Sequence, residues 1–307
     1  MHRLLFTAAL LTVVGLPPAA TIADPAPQAE NPAQLWQQLD TRKLKLRSEA
    51  ALLVDRFGNT LFERDAESPR PIASLTKLMT AMVILDSGLP LDEKIEITKA
   101  DRDLLRLTGS RLHYGARLSR GEMLTLALMS SENRAAAALG RTYPGGTEQF
   151  VRAMNAKAKE LRMYDSVFAD AAGLDAANVA TPRDLAIMVF AAMRYPEIQK
   201  ATTQRKMTVR PYAKRGSLNY VNTNRLLRNE RWEIQVSKTG YINEAGRCLV
   251  MHTEFEGTPA VMVLLNSFGK LTPFGDANRI RKWIEGGIER QRDANVAAEQ
   301  QGDAASG

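Results

Sequence analysis

Ser74 and Lys77 stand three residues apart where a helical apolar stripe begins, at Leu75, Leu78, Met79, Met82 and Val83. Positions i and i+3 share one helical face, so this spacing sets the Lys77 ammonium beside the Ser74 hydroxyl. A serine hydroxyl is a weak nucleophile until a base removes its proton. Lysine becomes such a base when burial and a neighbouring positive charge lower its pKa toward neutrality. The helix N-terminus pushes the same way, since its dipole disfavours a cation and favours a developing anion. Alone the pattern is weak, because Ser267-Phe268-Gly269-Lys270 has the same spacing and reads as a turn.

Two further groups add to it. Ser131-Glu132-Asn133 interrupts an apolar, alanine-rich stretch with a hydroxyl and an amide, groups that are costly to bury without partners. In a functional reading Ser131 passes a proton to a departing amine and Asn133 holds a substrate carbonyl. The bland reading is a loop serine and a helix cap, and Ser217-Leu218-Asn219 shows the pattern recurring by chance. Lys238-Thr239-Gly240 lies in a strand-like run and presents a cation and a hydroxyl to a carboxylate. Gly240 lets an extended peptide approach and pair with that strand. The alternative is an edge strand guarded by a lysine.

The elements that must position these groups follow from local pattern. Residues 50–55 and 60–63 read as two strands around the turn Phe57-Gly58-Asn59. Helical patterns dominate 120–194, broken at Pro144-Gly145-Gly146 and at Ala172-Gly173-Leu174-Asp175. Three strands, 233–241, 247–255 and 259–266, pair as antiparallel hairpins, and 276–288 closes the chain as a helix. Residues 291–307 read as a disordered tail. The expected class is α/β of the α+β type: an antiparallel sheet closed by both chain ends, flanked by helices, with an all-α lobe and a cleft between.

The start of the chain sets the compartment. Met1-His2-Arg3, the uncharged run from Leu4 to Leu16 and the small residues before Asp24 have the order of a secretory signal peptide, residues 1–23. A membrane anchor is the alternative, but the run is shorter than the ~20 residues a spanning helix needs. A Pro/Ala-rich linker, residues 24 to about 34, would open a linker/N-terminal segment, 24–44, ahead of a catalytic domain at 45–290, and the protein would be periplasmic with at most peripheral membrane association. The 307 residues carry a formal charge of +7, and losing residues 1–23 removes Arg3 and no acid, leaving +6. Basic residues are scattered, with no zinc spacing or aromatic platform, which argues against nucleic acid. The single Cys248 reads as a packed small hydrophobe. His113 and His252 are too few to suggest a metal site, and no cofactor is called for.

Taken together, the order Ser-x-x-Lys, Ser-x-Asn, Lys-Thr-Gly resembles the penicillin-recognising serine enzymes, whose fold is of the β-lactamase/transpeptidase type. The likeness runs from Ser48 to Glu289, and residues 71–81 resemble the nucleophile segment of the low-molecular-mass D-alanyl-D-alanine peptidases. The resemblance implies Ser74 as nucleophile, Lys77 as base and Ser131 as proton relay. It places Asn133, Lys238, Thr239, Gly240 and Tyr241 on the substrate, with the N–H groups of Ser74 and Tyr241 as oxyanion hole. It implies peptidoglycan peptide cross-links as substrate and β-lactams as covalent inhibitors. Asn222-Thr223-Asn224 has Thr223 where the carboxypeptidase branch carries a carboxylate-holding Arg, so the likeness favours the DD-endopeptidase branch. A DD-carboxypeptidase, a class A-like β-lactamase and a non-catalytic peptidoglycan-binding protein are the alternatives. The β-lactamase would need a Glu-x-x-Leu-Asn loop, which does not occur between Asn133 and Lys238.

Overall fold

Strand β1 (Ser48–Asp55) carries an unbroken apolar run from Ala50 to Val54 because both of its faces are buried there. Ala50, Leu52 and Val54 enter one core, while Ala51 and Leu53 enter another on the opposite face. The turn after it is drawn closed by Asp55, whose carboxylate accepts from the Phe57 and Asn59 amides, and Gly58 supplies the left-handed residue (φ 85°). β2 (Thr60–Arg64) pairs back on β1. The computed structural model describes Trp36 and residues 39–306, so the expected signal peptide lies outside the described residues.

Between β2 and the C-terminal strands the chain builds the helical lobe. Three two-stranded ribbons are interspersed there: β3 (Arg70–Pro71) with β6 (Val179–Ala180), β4 (Lys94–Glu96) with β5 (Arg117–Ser119), and β7 (Lys206–Val209) with β8 (Leu218–Val221). Helix α1 (Thr76–Asp86) is buried on all sides and packs against α2 (Arg120–Met129), α3 (Asn133–Arg141), α4 (Gly146–Glu160) and α5 (Pro182–Ala192). The 120–194 stretch thus divides at the expected Pro-Gly-Gly and Ala-Gly-Leu-Asp breaks. Helix α6 (Pro196–Thr203), which periodicity did not single out, starts on a proline at its first turn.

Strands β9 (Glu233–Ile242), β10 (Gly246–Phe255) and β11 (Thr258–Ser267) complete an antiparallel sheet of order β2-β1-β11-β10-β9. Both chain ends meet in its middle, where β1 pairs with β11, and β9 is left as an edge. The outer face is covered by α7 (Thr272–Ser306), whose Ala277, Ile280, Trp283, Ile284 and Ile288 fill the second core.

Two boundaries differ from the sequence expectation. The packed domain starts earlier than residue 45: Trp36, Leu39 and Leu44 of the N-terminal segment join the outer core, and the Trp283 indole N–H donates to the Asp40 carbonyl. The polar stretch after residue 290, expected as a tail, continues α7 to Ser306, since Ala, Glu and Gln favour helix without an apolar face to bury. Among the described residues no helix is long and apolar enough to cross a membrane.

Candidate active site

Ser74 sits on a 3₁₀ turn (Ala73–Leu75) that runs directly into α1. Ala73 there takes a left-handed conformation (φ 49°), costly for a residue with a Cβ and sustained by the packing around it. One turn on, Lys77 is fully buried, and its Nζ donates to Ser74 Oγ at 2.8 Å, Asn133 Oδ1 at 2.8 Å and the Ala172 carbonyl at 2.6 Å. Burial pushes its pKa down to about 7, against the opposing pull of Asp170 and Glu132. A lysine so placed can exchange a proton with the serine hydroxyl near neutral pH.

The second motif enters from the α2–α3 loop. Ser131 is held at φ 60°, and its Oγ accepts from Lys238 Nζ at 2.9 Å. Asn133 is held at both ends of its amide: Oδ1 accepts from Lys77, and one N–H of Nδ2 donates to Thr108 Oγ1 at 3.0 Å. Asn133 thus positions Lys77, while its amide nitrogen keeps a second N–H beyond the one given to Thr108.

The third motif lies on the edge strand β9. Lys238 is buried, donating to Ser131 Oγ and to the Thr239 carbonyl, so the alternative of a lysine guarding an exposed edge does not describe it. Burial, and then the charge of Lys77, depress its pKa well below the usual lysine range. The Thr239 hydroxyl donates to Thr223 Oγ1 at 2.7 Å, and both residues line the cleft. Gly240 has a different reason from the expected one. A Cβ there would lie 2.9 Å from the Ile72 carbonyl oxygen and 3.2 Å from the Ser74 amide nitrogen, so glycine is required by the serine's own turn. Tyr241 follows, half-exposed, with the Arg247 guanidinium stacked 3.7 Å from its ring centroid.

Two residues escaped the sequence reading. Asp170 accepts hydrogen bonds from the amides of Ala172, Gly173, Leu174 and Asp175 and from Asn178 Nδ2, and so fixes the loop whose Ala172 carbonyl faces Lys77. Gly173 (φ 74°) presses on the Ala73 carbonyl, where no Cβ fits. Thr108, anchored to Asp103, supports Asn133. An aspartate before a small-residue turn containing glycine was the available signal.

Ser74, Ser131, Asn133, Thr239, Gly240 and Tyr241 all line one cleft of about 740 Å³ between the helical lobe and β9. A nucleophile with an adjacent depressed-pKa base, a second hydroxyl and an edge strand able to pair with an extended peptide suit acyl transfer on a peptide.

Comparison with known proteins agrees with this class. A family model described as D-alanyl-D-alanine carboxypeptidase (peptidase S11) matches residues 37–269. The chain belongs to this family of serine peptidases. A D-alanyl-D-alanine endopeptidase of Pseudomonas aeruginosa is 45% identical over 269 residues, covering 87% of this chain and 84% of that protein. An Escherichia coli protein of the same name is 44% identical, covering 79% of each. Among solved structures, the Streptomyces K15 DD-transpeptidase superposes with a TM-score of 0.74 at 27% identity, over 80% of this chain and 99% of that one. Penicillin-binding protein D2 from Listeria monocytogenes, in its ampicillin-bound form, does so at 0.67 and 29%, over 80% and 98%.

Proposed function

We propose that this chain is an exported serine D-alanyl-D-alanine endopeptidase that opens peptide cross-links of peptidoglycan. The peptide lies along β9. Ser74 Oγ attacks the D-Ala carbonyl while Lys77 takes its proton, and the N–H groups of Ser74 and Tyr241 hold the oxyanion. Ser131, backed by Lys238, hands a proton to the leaving amine as the C–N bond breaks. Water then cleaves the Ser74 ester, releasing the acyl strand as its carboxylic acid and returning the hydroxyl. A β-lactam would follow the first half of this path and remain attached.

The observation that carries the reading is the 2.8 Å contact from Lys77 Nζ to Ser74 Oγ in a fully buried setting. What favours cross-links over chain ends is Thr223, which offers a hydroxyl and no cation, together with the names of the two relatives above; a Bacillus subtilis carboxypeptidase is 30% identical. The proposal includes a catalytic domain at 45–290 and action outside the cytoplasm after loss of residues 1–23.

The test is a competition between purified cross-linked dimer and monomeric pentapeptide at equal concentration, with Ser74→Ala as control. Faster monomer release from dimer is expected, with no turnover or fluorescent-penicillin labelling of the alanine variant. Faster release of terminal D-Ala would reassign the chain to the carboxypeptidases.

A further inference from the structure

Arg225 and Arg228 lie on a 3₁₀ turn following Asn224, Arg247 is on β10, and Lys270 follows β11, yet all four line the cleft that holds Ser74 and Thr239. A second cavity of about 490 Å³ shares Asn222 and Arg228 with it and adds Arg205 and Lys206. Among the described residues no Asp or Glu lines either space. Among the described residues none of these six cations has an ion pair, whereas Arg183 and Arg141 elsewhere are matched to acids. Like charges gathered without counter-charge repel one another and raise the local potential, and an anionic ligand relieves both effects.

We infer that this groove binds the leaving strand of the cross-link through its free carboxylates, making the enzyme selective for strands that carry two or more of them. The inference rests on the endopeptidase reading above. Thr223, Thr239, Arg225 and Arg228 line one cleft, so a peptide paired along β9 that runs on past Thr239 meets these cations. A terminal D-Ala adds one residue, at most about 3.6 Å, and ends near Thr239. A second peptide strand reaches onward to Arg228, Arg205 and Lys206. Guanidinium groups suit that task, because each can engage a carboxylate through two parallel N–H donors.

The experiment compares a cross-linked dimer bearing free carboxylates with the same dimer amidated on its leaving strand. Each is measured by kcat/KM for cleavage and as a competitor of fluorescent-penicillin acylation. Exposed charge pairs are each worth a factor of roughly 1.4 to 5, so wild-type protein should prefer the free acid about three- to thirtyfold. The preference should shrink as salt is raised. Arg205→Gln/Arg228→Gln should bring the ratio toward one, and Arg205→Lys/Arg228→Lys should keep most of it. Because the ratio is taken within one protein, a general loss of activity does not mimic the effect. Cleavage without preference, or a glutamine variant that retains the preference, overturns the inference and leaves the endopeptidase reading standing. If neither dimer is cleaved but the free acid still competes better, the endopeptidase reading fails and the groove stands. If polyphosphate binding falls in the glutamine variant while the dimer preference persists, the groove belongs to a phosphate polymer and the peptide assignment is wrong.

Discussion

Gly240 on the edge strand passes so close to Ser74 that a Cβ on it would sit 3.2 Å from the Ser74 amide nitrogen. The strand that would carry the substrate and the turn that carries the hydroxyl are therefore set against each other by a missing side chain. A displacement of either changes the distance from the hydroxyl to a peptide bound on β9.

Gly240→Ala should accordingly damage chemistry more than folding. The nearest atoms are backbone, which cannot swing aside, and overpacking of this kind costs about 1–3 kcal/mol. Misplacing reacting groups by about 1 Å lowers rates on the order of a hundredfold. Penicillin acylation should fall by that much, while Gly216→Ala, with nothing within 4 Å, should leave it unchanged. Equal rates in the two variants would show that the contact does not position Ser74.

Acylation should depend on pH through Lys77. Its pKa is lowered to about 7 by burial, and the base acts only when deprotonated. The rate should therefore fall about tenfold per pH unit below 7 and level off above it. Lys77→Arg should be inactive across the range, since a guanidinium does not release its proton. Acylation rates measured from pH 5.5 to 9 decide this, and a flat wild-type profile would remove Lys77 from the role of base.

Asp170→Asn should move that profile in a stated direction. Asp170 raises the Lys77 pKa against the effect of burial, so neutralising it should shift the midpoint to lower pH. The variant also replaces one of the two acceptor oxygens with an NH2 group, leaving two of the four backbone amides without their acceptor at about 1–3 kcal/mol each. Lower thermal stability with an unmoved pH midpoint would limit Asp170 to a structural part.

Thr223→Arg should bring back a taste for chain ends. Thr223 touches the Thr239 hydroxyl, where a terminal carboxylate would lie, and a charge-assisted contact is worth about 1.5–3 kcal/mol. Terminal D-Ala release should rise about ten- to a hundredfold relative to dimer cleavage. An unchanged ratio of the two products would dissociate bond preference from this position.

The three short motifs, the strands at both chain ends and the helical middle were legible in the sequence because each is a local pattern. Spacing of three puts Lys77 over Ser74, and alternating or continuous apolar runs mark β1, β10 and β11. The environment of those residues was not legible, because it is made by contacts between distant segments. Lys238 read as a strand cation, facing a carboxylate or guarding an edge, and its hydrogen bond to Ser131, 107 positions away, was not visible. Gly240 looked open to a substrate, while the turn at Ile72–Ser74 fills the space beside it. Asp170 carried no catalytic signature, yet it aims the Ala172 carbonyl at Lys77. Basic residues spread from Arg205 to Lys270 looked scattered and converge on one groove. Residue type and spacing thus determined which chemistry was available. Burial, which lowers the Lys77 pKa toward 7, and the convergence of charge were decided only when the chain packed, since desolvation and Coulomb interaction depend on distance in space and not along the sequence.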